Sequence, residues 1–263
     1  MEVLYGLHPV EEALRSGARS LDHVMISRER RDDQKMLRIV EACRTAGIRV
    51  RFESRDALDR MARNDAHQGI VAMARERKFA GVQDLLQRRG QYSFLLALDG
   101  IEDPHNLGAL LRTADGAGVD GVVLPERRSA PVTATVAKAS AGASEHVRIA
   151  RVTNLVRALE ELKENNIWCI GLDERGTVDY DQFDFRLDCA LVLGREGDGL
   201  HDLVRRTCDH LIRIPMAGQV ASLNVSVAGA VVMYEAARQR RAGNSPQQQA
   251  TASSKKQQRG LGS

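Results

Sequence analysis

Cysteine is scarce in this chain and scattered. Cys43, Cys169, Cys189 and Cys208 include no C-x-x-C pair. Such spacing suits neither a zinc site nor a disulfide framework, so no metal is expected. It fits reduced thiols in a cytoplasmic protein. No run of about 18 apolar residues occurs, so no membrane-spanning helix is expected. No secretory pattern precedes the first structured segment either. Aromatic residues make up 4% of the chain, too few for a sheet face on which RNA bases stack. A G-x-G-x-x-G run is missing, which argues against a nicotinamide dehydrogenase.

What is present can build a core. Apolar residues make up 43% of 263 positions, enough for one large domain or two modest ones. The net charge of +3 hides an asymmetry. Residues 1–90 carry 18 basic against 14 acidic side chains, a net of +4, whereas 91–241 carry 17 against 21, a net of −4. A basic front on an acidic body suggests that the first ninety residues meet a polyanion, although ordinary solvated charge gives the same numbers.

Taken in order, residues 1–75 alternate helix and strand as a small α/β unit, with arginines 28, 30, 31, 49, 51 and 55 at strand ends and exposed strand positions. Residues 76–91 read as a charged linker with a short helix. From 92 to 241 short apolar runs such as Leu95-Leu-Ala-Leu and Ala190-Leu-Val-Leu alternate with helical patterns. That alternation predicts a doubly wound, mostly parallel α/β sheet covered on both faces. The tail, 242–263, holds three basic residues and no acidic ones among Gln, Ser and Ala, and disorder is expected there.

Three segments share one plan: apolar strand, polar loop with Gly or Pro, then helix. They are Leu98–Thr113, Leu193–Leu200 and the stretch from Ile212 into a long final helix expected to start at Ser222. In a parallel sheet all three loops leave from carboxyl strand ends, where such sheets bind ligands. In the first, Asn106 falls where an N-cap belongs. Arg112 lies one turn beyond Gly108 on the same face, which leaves room for a phosphate or ribose, though a plain surface arginine explains it equally. In the second, Gly194, Gly197 and Gly199 let backbone approach a ligand. Glu196 is expected to point inward, while Asp198 faces water or caps the next helix. The final helix is apolar nearly all round and so is expected to be buried. Its first turn, Ser222-Leu223-Asn224, would then open inside the protein with unpaired N–H groups, and a small ligand is expected there.

The motifs N-x-G-x-x-x-R-T at 106–113, L-G-R-E-G-x-G-L at 193–200 and I-P-M-x-G-x-x-x-S-L-N-V-S-V-A at 214–228 resemble the three signatures of the SpoU branch of SPOUT RNA 2′-O-methyltransferases. The front end, with Y-G-L-H-P-V-E-E-A-L and H-Q-G-I, is similar to that family's substrate-binding domain. The likeness covers about residues 2–240 and leans toward members that act on guanosine in 23S rRNA. It implies a deep trefoil knot in the C-terminal domain, S-adenosylmethionine as cofactor and a homodimer. Cofactor contacts would come from Gly194, Ile214 and Leu223, with Met216 and Ser222 beside them. Arg112 would hold the target phosphate or ribose. Glu196 would act as acid–base group or orient Arg112, and Asn106 and Asn224 would orient the ribose. A transfer-RNA methyltransferase of the same family, or a non-catalytic RNA-binding protein, are the competing readings.

Overall fold

The computed structural model describes residues 1–87 and 90–243. The first unit contains β1 (Glu2–Tyr5), α1 (Leu7–Ser16), β2 (Leu21–Ser27), α2 (Gln34–Thr45), β3 (Arg49–Glu53), α3 (Arg55–Ala62) and β4 (Ile70–Ala74). Its four strands form one sheet in the order β1-β4-β2-β3. Of these, β1 was not legible as a strand, being four residues at the chain start. α2 shows why the local sequence folds as it does. The Asp33 carboxylate caps it by accepting from the Lys35 and Met36 N–H groups, a device worth about 1 kcal/mol. Met36, Ile39 and Cys43 supply its buried face.

The second unit contains α4 (Val82–Leu85), β5 (Phe94–Leu98), α5 (Pro104–Ala117), β6 (Gly121–Pro125), α6 (Ala134–Ala139), β7 (Ile149–Val152), α7 (Leu155–Glu164), β8 (Trp168–Leu172), β9 (Val178–Asp179), β10 (Cys189–Leu193), α8 (Asp202–Thr207), β11 (His210–Arg213) and α9 (Val225–Gly243). Seven strands pair in the order β7-β6-β5-β10-β8-β11-β9. Every pairing is parallel. Both central runs, Phe94–Leu98 and Cys189–Leu193, are wholly buried, as strands covered on two faces must be. One face packs against α5, α6 and α9; α4, α7 and α8 cover the other. Chain order runs outward from β5 through β6 to β7 on one side, while β10 lies on the other. The boundary between β5 and β10 is therefore the switch point at which open parallel sheets bind ligands.

Residues 76–91 are less linker-like than their composition suggests. Ala80 forms a parallel bridge with Ala150, and Leu85 is buried in the second core. The two units also meet through a buried seam. Glu145, with a fully buried side chain, accepts from Arg19 Nε and a terminal nitrogen at 2.9 and 2.8 Å, and from Arg77 at 2.5 Å. Arg19 also pairs with Glu2, and His146 pairs with Glu12 at 2.7 Å. Ala137 of α6 belongs to the core of the first unit. Apart from Ala242 and Gly243, which continue α9, the tail lies outside the described residues. Among the described residues no helix is long and apolar enough to cross a membrane, and no group of three His, Cys, Asp or Glu side chains is placed to hold a metal.

Candidate active site

Neighbouring strands carry their loops to one edge. After β5, the Asp99 N–H donates to Leu193 O at 2.8 Å. Its carboxylate accepts from the His201 N–H at 2.8 Å and faces His201 Nδ1 at 2.9 Å. The loop after β10 closes on itself, with Arg195 and Gly199 exchanging backbone hydrogen bonds of 3.0 and 3.1 Å. A Cβ on Gly194 would stand 2.2 Å from the Gly199 carbonyl carbon, so no other residue permits this closure.

The closure presents Glu196 to two asparagines. One oxygen of its carboxylate accepts from Asn106 Nδ2 at 3.2 Å, and the other from Asn224 Nδ2 at 3.1 Å. Asn224 Nδ2 also donates to Asn106 Oδ1 at 3.0 Å. The Asn224 amide is oriented by the helix it begins: its Oδ1 accepts from the Ser226 N–H at 2.9 Å as an N-cap. Three residues from three sequence-distant segments thus form one closed ring of hydrogen bonds. Asp198 does not cap the next helix; it pairs with Arg195 at 3.2 Å.

A cleft of about 830 Å³ opens beside this ring. It is lined by Gly194, Ile214, Met216, Ser222 and Leu223 together with the apolar Leu172 and Leu193. A second cleft of about 520 Å³, lined by Gly100, Glu102, Asp103 and Asn106, shares Arg195, Glu196 and Val225 with the first. Residues 214–223, of which Ile214, Met216, Ala221, Ser222 and Leu223 line the larger cleft, make no hydrogen bond to any described residue. Their main-chain donors and acceptors stand free for a ligand.

Several expectations from sequence need correction. α5 begins at Pro104 with Asp103 as its cap, so Asn106 lies inside the helix and its amide is free for Glu196. Asp-Pro was the stronger start signal, since proline suits the first helical position. Gly108 does not leave room for a phosphate: an added Cβ would meet Ala139 Cβ at 2.4 Å, so its bareness serves the packing of α5 on α6. Arg112 is exposed on α5 and lines neither cleft, and Glu196 makes no ion pair with it. α9 begins at Val225, three residues after Ser222, and Ser222 and Leu223 are exposed loop residues. Nor is α9 buried all round. Val227 and Tyr234 are about half exposed, at 48% and 49%. One contributor was missed altogether: Asp173, Glu174 and Arg175 after β8 line the larger cleft. The signal was legible, because Asp-Glu-Arg-Gly follows an apolar strand just as the other loops do.

The sequence profile of the SpoU rRNA Methylase family matches residues 93–234. The chain belongs to the SpoU rRNA methylase family. A second profile, RNA 2′-O ribose methyltransferase substrate binding, matches residues 3–80. Among SpoU relatives, the 23S rRNA (guanosine-2′-O-)-methyltransferase RlmB of Bordetella pertussis is 45% identical over 241 residues, covering 91% of this chain and 98% of its own. The Vibrio cholerae RlmB is 43% identical, covering 92% and 98%. Among solved SpoU structures, AviRb from Streptomyces viridochromogenes in complex with the cofactor AdoMet has a TM-score of 0.77 at 26% identity, covering 92% of this chain and 91% of that one. An AdoMet-bound rRNA methyltransferase from Sinorhizobium meliloti has a TM-score of 0.73 at 25% identity, covering 90% and 87%.

Proposed function

We propose that the chain methylates the ribose 2′-hydroxyl of a guanosine in 23S rRNA, with S-adenosylmethionine as donor. The single observation that carries the reading is the pair of adjoining clefts with a shared wall at Arg195, Glu196 and Val225. A donor and an acceptor held on either side of one wall become neighbours, and positioning is a large share of what such a transfer needs. The residues present suit the donor. Leu172, Leu193, Ile214 and Leu223 provide apolar surface for an adenine, and the unpaired main chain of 214–223 provides its polar partners. Asp173, Glu174 and Glu196 provide negative charge for a sulfonium. When bound, S-adenosylmethionine supplies a methyl group on positively charged sulfur, which leaves as a neutral thioether.

The chain's own residues would do the rest. Asn106 and Asn224 hold the acceptor ribose by hydrogen bonds. Glu196, already an acceptor for both, is within reach of the 2′-hydroxyl proton that must depart as the new O–C bond forms. Arg112, exposed and without an ion pair to any described residue, grips a phosphate of the RNA; guanidinium does not serve as base, because it keeps its proton. The trefoil knot of the family's fold and a homodimer belong to the same reading. The exposed Val227 and Tyr234 on α9, with Val220 before it, provide apolar surface that a second copy would cover.

Incubation with labelled S-adenosylmethionine and unmodified total RNA, followed by mapping of the label, tests the function. Label is expected in one guanosine ribose; label in transfer RNA alone would move the substrate, and no label would remove the activity. Arg112→Ala is expected to abolish methylation while leaving cofactor affinity nearly intact by calorimetry. Normal turnover in that variant would remove Arg112 from the site.

A further inference from the structure

A cavity of about 750 Å³ lies between the first unit and α6 of the second, and it shares no lining residue with either cleft. It is lined by Ser27, Glu29, Arg30, Arg55, the segment 65–69 and Lys138. β2 and β3 run parallel with Ser27 opposite Glu53. The basic residues that follow the two strands, Arg28, Arg30 and Arg31 on one and Arg55 on the other, therefore emerge side by side. Lys138 comes from α6 of the other unit: its Nζ donates to Ala66 O at 2.8 Å, and two further ammonium donors are left over. Arg30 is pinned at the wall by Gln68 O and Asp33, both at 2.5 Å. Arg55 makes no ion pair with any described residue.

One residue of the wall also carries an unpaired group. Ser27 is 2% exposed, and its Oγ has no hydrogen-bond partner. A buried hydroxyl without a partner is costly, and this one belongs to a residue of the cavity wall. The adjoining turn is strained as well, with the non-glycine Gln68 at φ +56°. Strain of this kind concentrates at functional sites. Glu29 and Asp65 are exposed on the same wall and oppose a second anion, so the cavity suits a single phosphate.

We infer that this cavity is a phosphate subsite at the junction of the two units, in which Arg30, Arg55, Lys138 and the Ser27 hydroxyl hold one phosphodiester of the RNA substrate. The inference rests on the methyltransferase reading and extends it. An RNA strand seated there is gripped by both units at once, and this fixes its path toward the clefts.

Binding of an unmodified 23S rRNA fragment to the full chain, followed by fluorescence anisotropy across a KCl series, tests it. Arg55→Gln and Lys138→Gln are each expected to weaken binding about tenfold and to lower the slope of log affinity against log salt by about one. Ser27→Ala is expected to weaken binding with the slope unchanged, since it removes an uncharged donor. S-adenosylmethionine affinity, read by calorimetry, is expected to stay at the wild-type value in all three. Wild-type slopes and affinities in Arg55→Gln, an exposed position where folding is not at risk, would overturn the subsite. So would inorganic phosphate binding that Arg55→Gln abolishes while the RNA slope stays unchanged, because the cavity would then serve a free anion. Failure of the wild type itself to methylate RNA would strike the proposed function instead, and the two failures are thereby separated.

Discussion

The seam around Glu145 and the edge around Glu196 each join a carboxylate to nitrogen donors, and they differ in where water stands. At the seam the Glu145 side chain is fully buried and takes two guanidinium groups. Burial alone would raise its pKa. The hydrogen bond from Arg19 and the charges of Arg77 and Arg19 outweigh that and hold its carboxyl below the usual range. At the edge Glu196 is exposed and takes two neutral amides, beside ten residues whose backbone has found no partner. Charge answered within the chain fixes one unit against the other; polar groups left open are ready for a substrate.

Glu145→Gln is expected to have the largest effect on this contrast. It leaves Arg77 buried without a carboxylate and Arg19 with Glu2 alone, a loss of about 3–5 kcal/mol of stability, read from urea unfolding. The sign with pH follows from the lowered pKa. The carboxylate's stabilisation is whole above the ordinary glutamate value of about 4.3 and is lost as pH falls through the folded value. The gap between wild type and variant should therefore close in acid, and a gap that persisted unchanged there would show that the charge is not its source.

Glu196→Gln is expected to leave unfolding unchanged, because its group is exposed, and to cut turnover by about a hundredfold or more. Activity lost at every pH assigns the group to proton transfer; a partial loss assigns it to orienting Asn106 and Asn224. Turnover equal to wild type would take Glu196 out of the reaction. Smaller still is Gly194→Ala. Its Cβ forces the Arg195–Gly199 closure apart, at a cost of about 1–3 kcal/mol, and calorimetry should show cofactor affinity down by about tenfold or more. Unaltered affinity would mean that the closure does not shape the donor cleft.

The edge was far more legible in the sequence than the seam. Apolar runs followed by glycine-rich loops announce strand ends, and in a parallel sheet strand ends share one side, so Asn106, Glu196 and Asn224 could be assembled before any coordinates. The start of α9 was misread because Leu223 continues its apolar pattern, while Ser222 and Leu223 line the cleft as loop residues. β9 is two residues long and has no pattern to read. Arg19, Arg77 and Glu145 lie 126 and 68 positions apart in their pairings, and nothing local in Arg19 or Glu145 marks either as buried. Such partnerships are set by how two finished units dock.

Asn224 has two duties, as the cap of α9 and as a ligand of Glu196, and the span 214–223 runs between it and β11 without a hydrogen bond to any described residue. Whichever reactant settles that span first bears the entropy of stilling it, of order 1 kcal/mol for each residue fixed. The second reactant then meets a wall already at rest. Methyl donor and RNA should accordingly assist each other's binding without any group passing between them. Calorimetric titration of the donor with the RNA fragment present and absent would reveal that help as a tighter, less entropically opposed association, and identical isotherms would deny it.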